Sequence, residues 1–243
     1  MSDLKRYNFP PQLGEDKLMV LFWAVLAPAV FLYGSALLAL YFIPAFEPGS
    51  ATELEAYQTA WLFNCLGMAV WFAAMSLWSD LIGAGPFAGP INLPENGLLL
   101  AVIAGPVILY LPNLFIDAVI QTDNWAYRSD VNPDAIAPSN WTPAFIFMAI
   151  IMAPLVEEVA FRGVALGAFI SRGMPPLLAA VFSSLAFAVI HLQYTLAGMF
   201  VVFLAGLGYA ALRLFTGSLL VPILAHAFGN MFVLWINWLA QGV

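Results

Sequence analysis

Charged residues are scarce in this sequence. Asp, Glu, Lys and Arg make up 9% of the 243 residues, against about 25% in soluble domains, while 63% of the residues are hydrophobic. A water-soluble domain of this size cannot bury so much apolar surface, which indicates that the chain lies in a lipid bilayer. The 7 basic residues form no basic patch and the net charge is −7, so we expect no nucleic-acid partner.

Cysteine is nearly absent. The single cysteine, Cys65, lies in an apolar run. One thiol excludes a disulfide framework within the chain and a metal site built from several thiolates. We interpret Cys65 as a small apolar packing residue.

Several catalytic motifs of membrane proteases are missing. The sequence has no HExxH and no G-x-S-x-G. Its only lysines, Lys5 and Lys17, precede the apolar runs, which excludes a buried Ser–Lys dyad. Asp117 is the only aspartate clearly within an apolar run, which argues against a pair of catalytic aspartates.

Long apolar runs dominate the rest of the chain. A helix needs about 20 mainly apolar residues to cross a membrane, and runs that are continuous rather than alternating favour helices over a β-barrel. We therefore predict an all-α, polytopic membrane helix bundle with about seven transmembrane helices. The runs cover about residues 18–43, 58–79, 97–120, 142–170, 175–193, 195–215 and 218–240.

The runs suggest a division of the chain into a cytoplasmic N-terminal tail (1–17), three accessory helices with their loops (18–140), and a functional core of four helices (141–240). Basic residues are enriched in cytoplasmic loops, and their distribution here predicts a cytoplasmic N-terminus. Five basic residues then fall at cytoplasmic ends and one outside: Lys5, Arg6, Lys17, Arg172 and Arg213 against Arg128. The short chain and its lean loops indicate a bacterial inner membrane protein.

Three charges interrupt the fourth run, IIMAPLVEEVAFRGVALG (150–167). A charge at the bilayer centre costs about 2.5–3.5 kcal/mol, and such residues usually face the interior of the bundle. Glu158 and Arg162 are four residues apart, so they share a helix face and are predicted to pair. Glu157 lies about 100° around the helix and has no assured partner. The alternative interpretation is a purely structural polar cluster.

Both histidines of the chain also lie in apolar runs. His191 follows Phe187 by four residues, and His226 precedes Asn230 by four, so each pair shares a helix face. Counting about 1.5 Å per residue from the cytoplasmic ends places Glu157, His191 and Asn230 at similar depths, with His226 shallower. We predict that three helices bring them together, with a polar cavity that admits water.

Two chemistries fit this set of side chains. A carboxylate and a histidine can take a proton from water, while a second histidine and an amide stabilise the oxyanion of a tetrahedral intermediate. Alternatively, Glu157, His191 and His226 suit one divalent metal, because two histidines and a carboxylate are ligands of catalytic zinc. The residues alone leave both chemistries open.

The order of these residues resembles that of a known family. Three motifs follow one another on successive runs: EExxxR (Glu157, Glu158, Arg162), FxxxH (Phe187, His191) and HxxxN (His226, Asn230). Together they are similar to the motifs of the CPBP family, also called the Abi or CAAX prenyl protease type 2 family. The resemblance covers about residues 140–240, and the first three runs carry no motif.

The resemblance implies an intramembrane endopeptidase whose cavity opens to the cytosol. The family is often labelled a metalloprotease family, and a metal-free, glutamate-based mechanism has also been argued for it. The cofactor is therefore one divalent metal such as zinc, or none. The roles carried over by position are activation of the catalytic water (Glu157, His191), stabilisation of the oxyanion (His226, Asn230), and support or shaping of the site (Glu158, Arg162, Phe187).

The resemblance also implies partners. We expect membrane lipid and a membrane-associated protein or peptide substrate, including the prenylated CAAX-like class that eukaryotic members process. Two other functions stay open at this stage. One is a non-catalytic membrane immunity or scaffold protein that uses the same polar cluster for packing or binding. The other is a proton-coupled transporter, against which the absence of an evident inverted repeat argues.

Overall fold

The structure, a computed structural model, describes residues 7–14, 19, 22–43, 51–85, 87–120, 141–192 and 194–240. Across these ranges the protein is helical and contains no strand, which confirms the predicted all-α class. We label the main helices α1 (Ala27–Ala39), α2 (Ala51–Leu81), α3 (Gly97–Ile120), α4 (Pro143–Ser171), α5 (Pro176–Val189), α6 (Leu196–Thr216) and α7 (Leu220–Ala240).

Five of the described helices are long and apolar enough to cross a membrane. They are α2, α3, α4, α6 and α7. In contrast, α5 has 14 residues, fewer than the predicted run 175–193, and α1 has 13 residues that follow directly on the π-helical turn Phe22–Leu26. At about 1.5 Å per residue, 14 residues do not span a hydrocarbon core of about 30 Å. Length and composition therefore support five complete spans in the described part, where the sequence predicted seven.

The helix surfaces fit a lipid environment. Large apolar side chains such as Leu66 on α2 and Phe115 on α3 are about 60% exposed (59% and 60%), and similar residues cover the outer faces of the other long helices. Water would make such a surface unfavourable, whereas lipid tails do not. Five long apolar helices with apolar outer faces fit an integral membrane protein.

The N-terminal segment packs at one end of the bundle. Ser171 at the end of α4 donates a hydrogen bond to the carbonyl of Pro10 (3.3 Å), and Arg213 in the last turn of α6 donates one to the carbonyl of Tyr7 (2.9 Å). Residues 7–14 thus lie at the end of the bundle that carries Arg172 and Arg213. The other four basic residues of the predicted orientation lie outside the described residues: Lys5, Arg6, Lys17 and Arg128.

Helix α4 has an irregular backbone around the glutamates. It begins where Thr142 accepts a hydrogen bond from the amide of Phe145 (3.2 Å), with Pro143 in the first turn. The segments Met148–Met152 and Val159–Ala165 are π-helical, and the α-helical turn Ala153–Glu158 lies between them. Pro154 in that turn lacks an N–H and clashes with the carbonyl four residues earlier, so a wider preceding turn relieves the strain.

Helix α4 is also the centre of the packing. Val159, Phe161 and Val164 are fully buried. The π-helical turn Phe22–Leu26 and helices α2, α5 and α7 all pack on α4. A Cβ atom added at Gly163 would lie 2.6 Å from the carbonyl oxygen of Phe87, so only glycine permits the loop to approach α4 here. The polar residues of α4 are therefore surrounded by protein rather than by lipid.

Helices α3 and α7 approach each other unusually closely. A Cβ atom at Gly105 would lie 2.0 Å from the carbonyl oxygen of Ala225, and one at Gly229 would lie 2.9 Å from the carbonyl oxygen of Gly105. Small residues at such positions let membrane helices pack backbone to backbone. This contact sets the position of α7, which carries His226.

Candidate active site

The structure brings Glu157, His191 and His226 together in the interior of the bundle. An oxygen of the Glu157 carboxylate (Oε1) lies 4.0 Å from Nε2 of His191, and the other (Oε2) lies 3.8 Å from Nε2 of His226. Both distances exceed hydrogen-bond length, so Glu157 faces two imidazoles without bonding to either. The predicted convergence of an acid and two histidines from different elements is present.

The two imidazoles are oriented alike. Nδ1 of His191 lies 2.7 Å from the carbonyl oxygen of Phe187, and Nδ1 of His226 lies 2.9 Å from Oε1 of Glu158. Carbonyl and carboxylate oxygens only accept hydrogen bonds, so both Nδ1 atoms donate. When an imidazole is neutral, its Nε2 then carries the lone pair. Both basic nitrogens are therefore directed at the Glu157 carboxylate.

His191 differs from its predicted position in one respect. The run 175–193 was expected to be a single helix, but α5 ends at Val189 and His191 lies in the connection to α6. Its backbone amide still bonds to the carbonyl of Ala188 (3.0 Å) in a final turn. Thr195 then begins α6 by accepting a hydrogen bond from the amide of Gly198 (3.3 Å). The imidazole thus belongs to a turn at the end of a short helix.

Glu158 links the other polar residues. Its Oε1 atom accepts hydrogen bonds from Nη1 of Arg162 (3.0 Å) and from Nδ1 of His226 (2.9 Å). Glu158 and Arg162 are fully buried, and their pairing agrees with the prediction from their spacing. Arg162 also donates from Nη2 to the carbonyl oxygen of Gly206 on α6 (3.0 Å). The link from Glu158 to His226 is one that helix spacing could not predict.

The charges of this cluster do not cancel when both histidines are neutral. Two carboxylates (Glu157 and Glu158) and one guanidinium (Arg162) sum to one negative charge. An uncompensated charge is costly away from water, and one added proton neutralises the group. Glu157 has an oxygen within 4.0 Å of a nitrogen of each imidazole, and Glu158 has one 2.9 Å from His226, so these side chains interact electrostatically.

Aromatic rings enclose the histidines. The ring of Phe187 is nearly perpendicular to both imidazoles, with centroids 4.8 Å from that of His191 and 6.2 Å from that of His226. The guanidinium carbon of Arg162 lies 4.5 Å from the centroid of the same ring. Phe187 therefore contacts three polar residues of the site: His191, His226 and Arg162.

Two tyrosines of the site were missed by sequence reasoning. Tyr194 stacks on His191 and Tyr209 stacks on His226. Tyr194 is three residues after His191, which is a signal that the sequence offered. Tyr209 lies on α6, on which none of the three motifs falls, so only the packing of α6 against α7 reveals its contact.

Asn230 contacts a different part of the site. Its side-chain nitrogen donates a hydrogen bond to the carbonyl oxygen of Ala149 (2.7 Å), in the π-helical segment that precedes the glutamates. The amide carries a second N–H, which this bond does not use. Asn230 shares a face of α7 with His226 but makes no hydrogen bond to Glu157 among the described side chains.

A small cavity lies beside Glu157. Its volume is about 10 Å³, which is close to the space of one water molecule. Apart from Glu157 its lining is apolar: Pro28, Phe31, Met68, Trp71, Val156 and Ile190. The predicted polar, water-admitting cavity thus differs from this one, because α1 and α2 cover Glu157 with apolar side chains.

The zinc alternative is not supported by the arrangement of ligands. In the parts of the chain that the structure describes, no three His, Cys, Asp or Glu side chains are placed so that they could hold a metal ion. Glu157, His191 and His226 are close to one another, but they do not form such a set. We therefore derive no step through a metal.

The fold and the site together define a class of protein: a polytopic membrane helix bundle with a buried carboxylate–histidine centre. Residues 139–232 match the model of the family described as "Type II CAAX prenyl endopeptidase Rce1-like". The match agrees with the resemblance to the CPBP family that the three motifs predicted. The match includes all seven site residues and leaves α1, α2 and α3 outside it.

The chain is also similar to an uncharacterized 24.3 kDa protein of Escherichia coli. The two are 42% identical over 78 residues, which is 31% of this chain and 36% of the relative. The match thus spans about a third of the relative's length. No solved structure matches this chain.

Proposed function

We propose that this protein is an intramembrane endopeptidase that hydrolyses a peptide bond of a membrane-associated protein or peptide. The family of residues 139–232 supports a protease of the CAAX type. The observation that carries the proposal is the position of Glu157, with Nε2 atoms of two histidines 4.0 Å and 3.8 Å from its oxygens. The catalytic core comprises residues 141–240, and α1, α2 and α3 are accessory.

The first chemical step uses Glu157 and His191. A water molecule that contacts both side chains gives a proton to the Glu157 carboxylate. The resulting hydroxide attacks the carbonyl carbon of the scissile peptide bond. The Nδ1–H bond to Phe187 keeps the lone pair of His191 on Nε2, where it accepts a hydrogen bond from the same water. The proton taken by Glu157 later passes to the leaving amine.

The second role falls to His226 and Asn230. When His226 is protonated, its Nε2–H can donate to the developing oxyanion, while Glu158 compensates the positive charge through Nδ1. The unused N–H of Asn230 supplies a second donor. Glu158 and Arg162 act through His226, because their bonds to each other and to Gly206 orient the carboxylate.

Substrate reaches this site only after a rearrangement. The cavity of about 10 Å³ beside Glu157 is far too small for a peptide segment. Helix α1 covers it and is tied to the catalytic region by the hydrogen bond from the Tyr33 hydroxyl to the carbonyl of Ile190 (2.8 Å). We propose that displacement of α1 admits an extended peptide from the bilayer.

We also propose a bacterial inner membrane location and a cytoplasmic N-terminus.

The test compares processed protein termini in cells. Cells that carry the intact protein are compared with cells that carry Glu157→Gln, which keeps the size of the side chain but cannot act as a base. We expect a set of new termini that depends on the intact protein and disappears in the variant. Glu55→Gln, which changes an exposed carboxylate on α2, is the matched control and should preserve these termini.

The contrary result has a defined meaning. If Glu157→Gln produces the same termini at the same level as the intact protein, the chain is not a protease of this mechanism. A non-catalytic immunity or scaffold protein would then account for the buried cluster. A farnesylated CAAX peptide, offered to purified protein beside the same peptide without its lipid, separates a prenyl-dependent enzyme from a general one.

A further inference from the structure

Each imidazole of the site has a tyrosine ring parallel to it. The rings of His191 and Tyr194 have centroids 5.8 Å apart and planes 8° apart. The rings of His226 and Tyr209 have centroids 4.7 Å apart and planes 16° apart. Offset parallel stacking is one of the favoured arrangements of aromatic rings. The same arrangement therefore occurs twice in one site, with partners from different elements.

The stacked rings complete the enclosure of each imidazole. One side of each ring carries the Nδ1 hydrogen bond, to Phe187 for His191 and to Glu158 for His226. Phe187 contacts both imidazoles nearly at right angles, with interplanar angles of 76° and 83°. The tyrosine then limits tilting of the imidazole plane. The edge that bears Nε2 still faces Glu157.

The contact of Tyr209 is made by its ring rather than by its hydroxyl. The side chain is fully buried, and its hydroxyl has no hydrogen-bond partner among the described residues. A Cβ atom at Gly229 would lie 3.2 Å from that hydroxyl, so the glycine leaves room for the ring beside α7. Since no bond of the hydroxyl is lost in phenylalanine, Tyr209→Phe keeps the stacking contact intact.

We propose that Tyr194 and Tyr209 are positioning residues that hold the planes of His191 and His226 so that both Nε2 atoms face Glu157. This inference rests on the proposed function, because it assigns the tyrosines to the same hydrolytic site. It extends the site beyond the three motifs, to one residue after α5 and one on α6. An imidazole that loses its stacking partner keeps its Nδ1 acceptor but turns more freely about its side-chain bonds.

The test is a spectrum that needs no substrate. The chain has 2 histidines, so ¹⁵N labelling of histidine in the full-length protein in detergent micelles gives one pair of ring-nitrogen signals for each imidazole. The pairs are assigned through His191→Gln, which removes one of them. Where both imidazoles are neutral, an imidazole held with its proton on Nδ1 shows widely separated Nδ1 and Nε2 shifts. Exchange between tautomers reduces this separation.

The variants separate the ring from the hydroxyl. We expect Tyr209→Leu to reduce the shift separation of His226 alone and Tyr194→Leu to reduce that of His191 alone. Tyr209→Phe and Tyr194→Phe should preserve both spectra. Tyr110→Leu is the matched control, because Tyr110 packs against Phe232 on α7 without touching either histidine. Tyr194 is only half-buried, so its variants report even if Tyr209→Leu does not fold.

Activity provides a second reading. The processed protein termini that depend on Glu157 should form at least about tenfold more slowly in the leucine variants. They should form at the normal rate in the phenylalanine variants. Unchanged imidazole spectra in both leucine variants would overturn the proposal, as would phenylalanine variants that behave like the leucine ones. If instead Glu157→Gln processes substrate normally, the proposed function fails, and the spectra still decide whether the tyrosines orient the imidazoles.

Discussion

His226 donates a hydrogen bond from Nδ1 to Oε1 of Glu158, 68 residues earlier in the chain, over 2.9 Å. The same oxygen accepts the bond from Arg162, so a single buried atom joins α4 to α7. Of the two adjacent glutamates, one is therefore held in place by bonds and the other faces the histidines without any. The two should differ sharply when they are changed.

Glu157→Gln should abolish processing and leave stability nearly unchanged, because Glu157 makes no side-chain hydrogen bond to the residues that the structure describes. Glu158→Ala should lower both the processing rate and the stability, because it leaves the guanidinium of Arg162 buried without its partner carboxylate. Removing one partner of a buried ion pair costs about 3–5 kcal/mol. Thermal unfolding in detergent micelles measures the difference. Equal losses of stability in the two variants would contradict the assignment of separate roles.

Arg162→Lys should inactivate the protein although it keeps the charge. The guanidinium bonds to Glu158 through Nη1 and to the carbonyl of Gly206 through Nη2. A lysine side chain has a single ammonium nitrogen, which does not reproduce these two hydrogen bonds from separate nitrogens. Arg172→Lys is the control, because Arg172 bonds to the carbonyl of Ala168 in its own helix, away from the cluster. Processed termini are the measurement, and an active Arg162→Lys would show that charge alone suffices.

Asn230→Ala should slow cleavage by about 10²-fold or more, since removal of one oxyanion donor has an effect of that size. Asn113→Ala is a matched control. Its amide donates a comparable bond to the carbonyl of Leu109 (2.6 Å), but on α3. We expect the control to retain its cleavage rate. If both variants lose activity to the same degree, Asn230 serves packing and not the oxyanion.

Removal of divalent metals should leave processing intact. The described His, Cys, Asp and Glu side chains offer no set of three that could hold an ion. The measurement is cleavage by purified protein before and after dialysis against a chelator, with metal content determined on the same samples. A loss of activity that zinc restores in proportion to the metal bound would return the mechanism to metal chemistry.

Arg213→Met should release the N-terminal segment. Arg213 is fully buried, and it donates hydrogen bonds to the carbonyls of Tyr7 (2.9 Å) and Asn8 (3.3 Å). Its guanidinium carbon also lies 4.1 Å from the centroid of the Phe9 ring. Limited trypsin digestion in micelles should then cleave more rapidly within the first 17 residues. Thr216→Val should digest at the normal rate, because the Thr216 hydroxyl donates to the carbonyl of Leu212 in its own helix. Equal rates for the two variants would refute the prediction.

Local spacing and composition account for what the sequence alone could predict. The apolar runs indicated a membrane helix bundle, and residues four apart indicated the pair Glu158–Arg162, because both features depend on neighbours along one helix. The motif order predicted the family of residues 139–232. The length of α5 was overestimated, because apolar composition does not show where a helix ends.

Only the tertiary structure decided which side chains meet across helices. The bond from His226 to Glu158, the stacking of Tyr209 on His226, and the contact of Asn230 with Ala149 each join residues on different helices. Such contacts depend on how closely α3 and α7 approach at Gly105 and Gly229, and on the π-helical turns that rotate the glutamates of α4. No periodic pattern in the sequence encodes those separations and rotations, because each results from the packing of several helices at once.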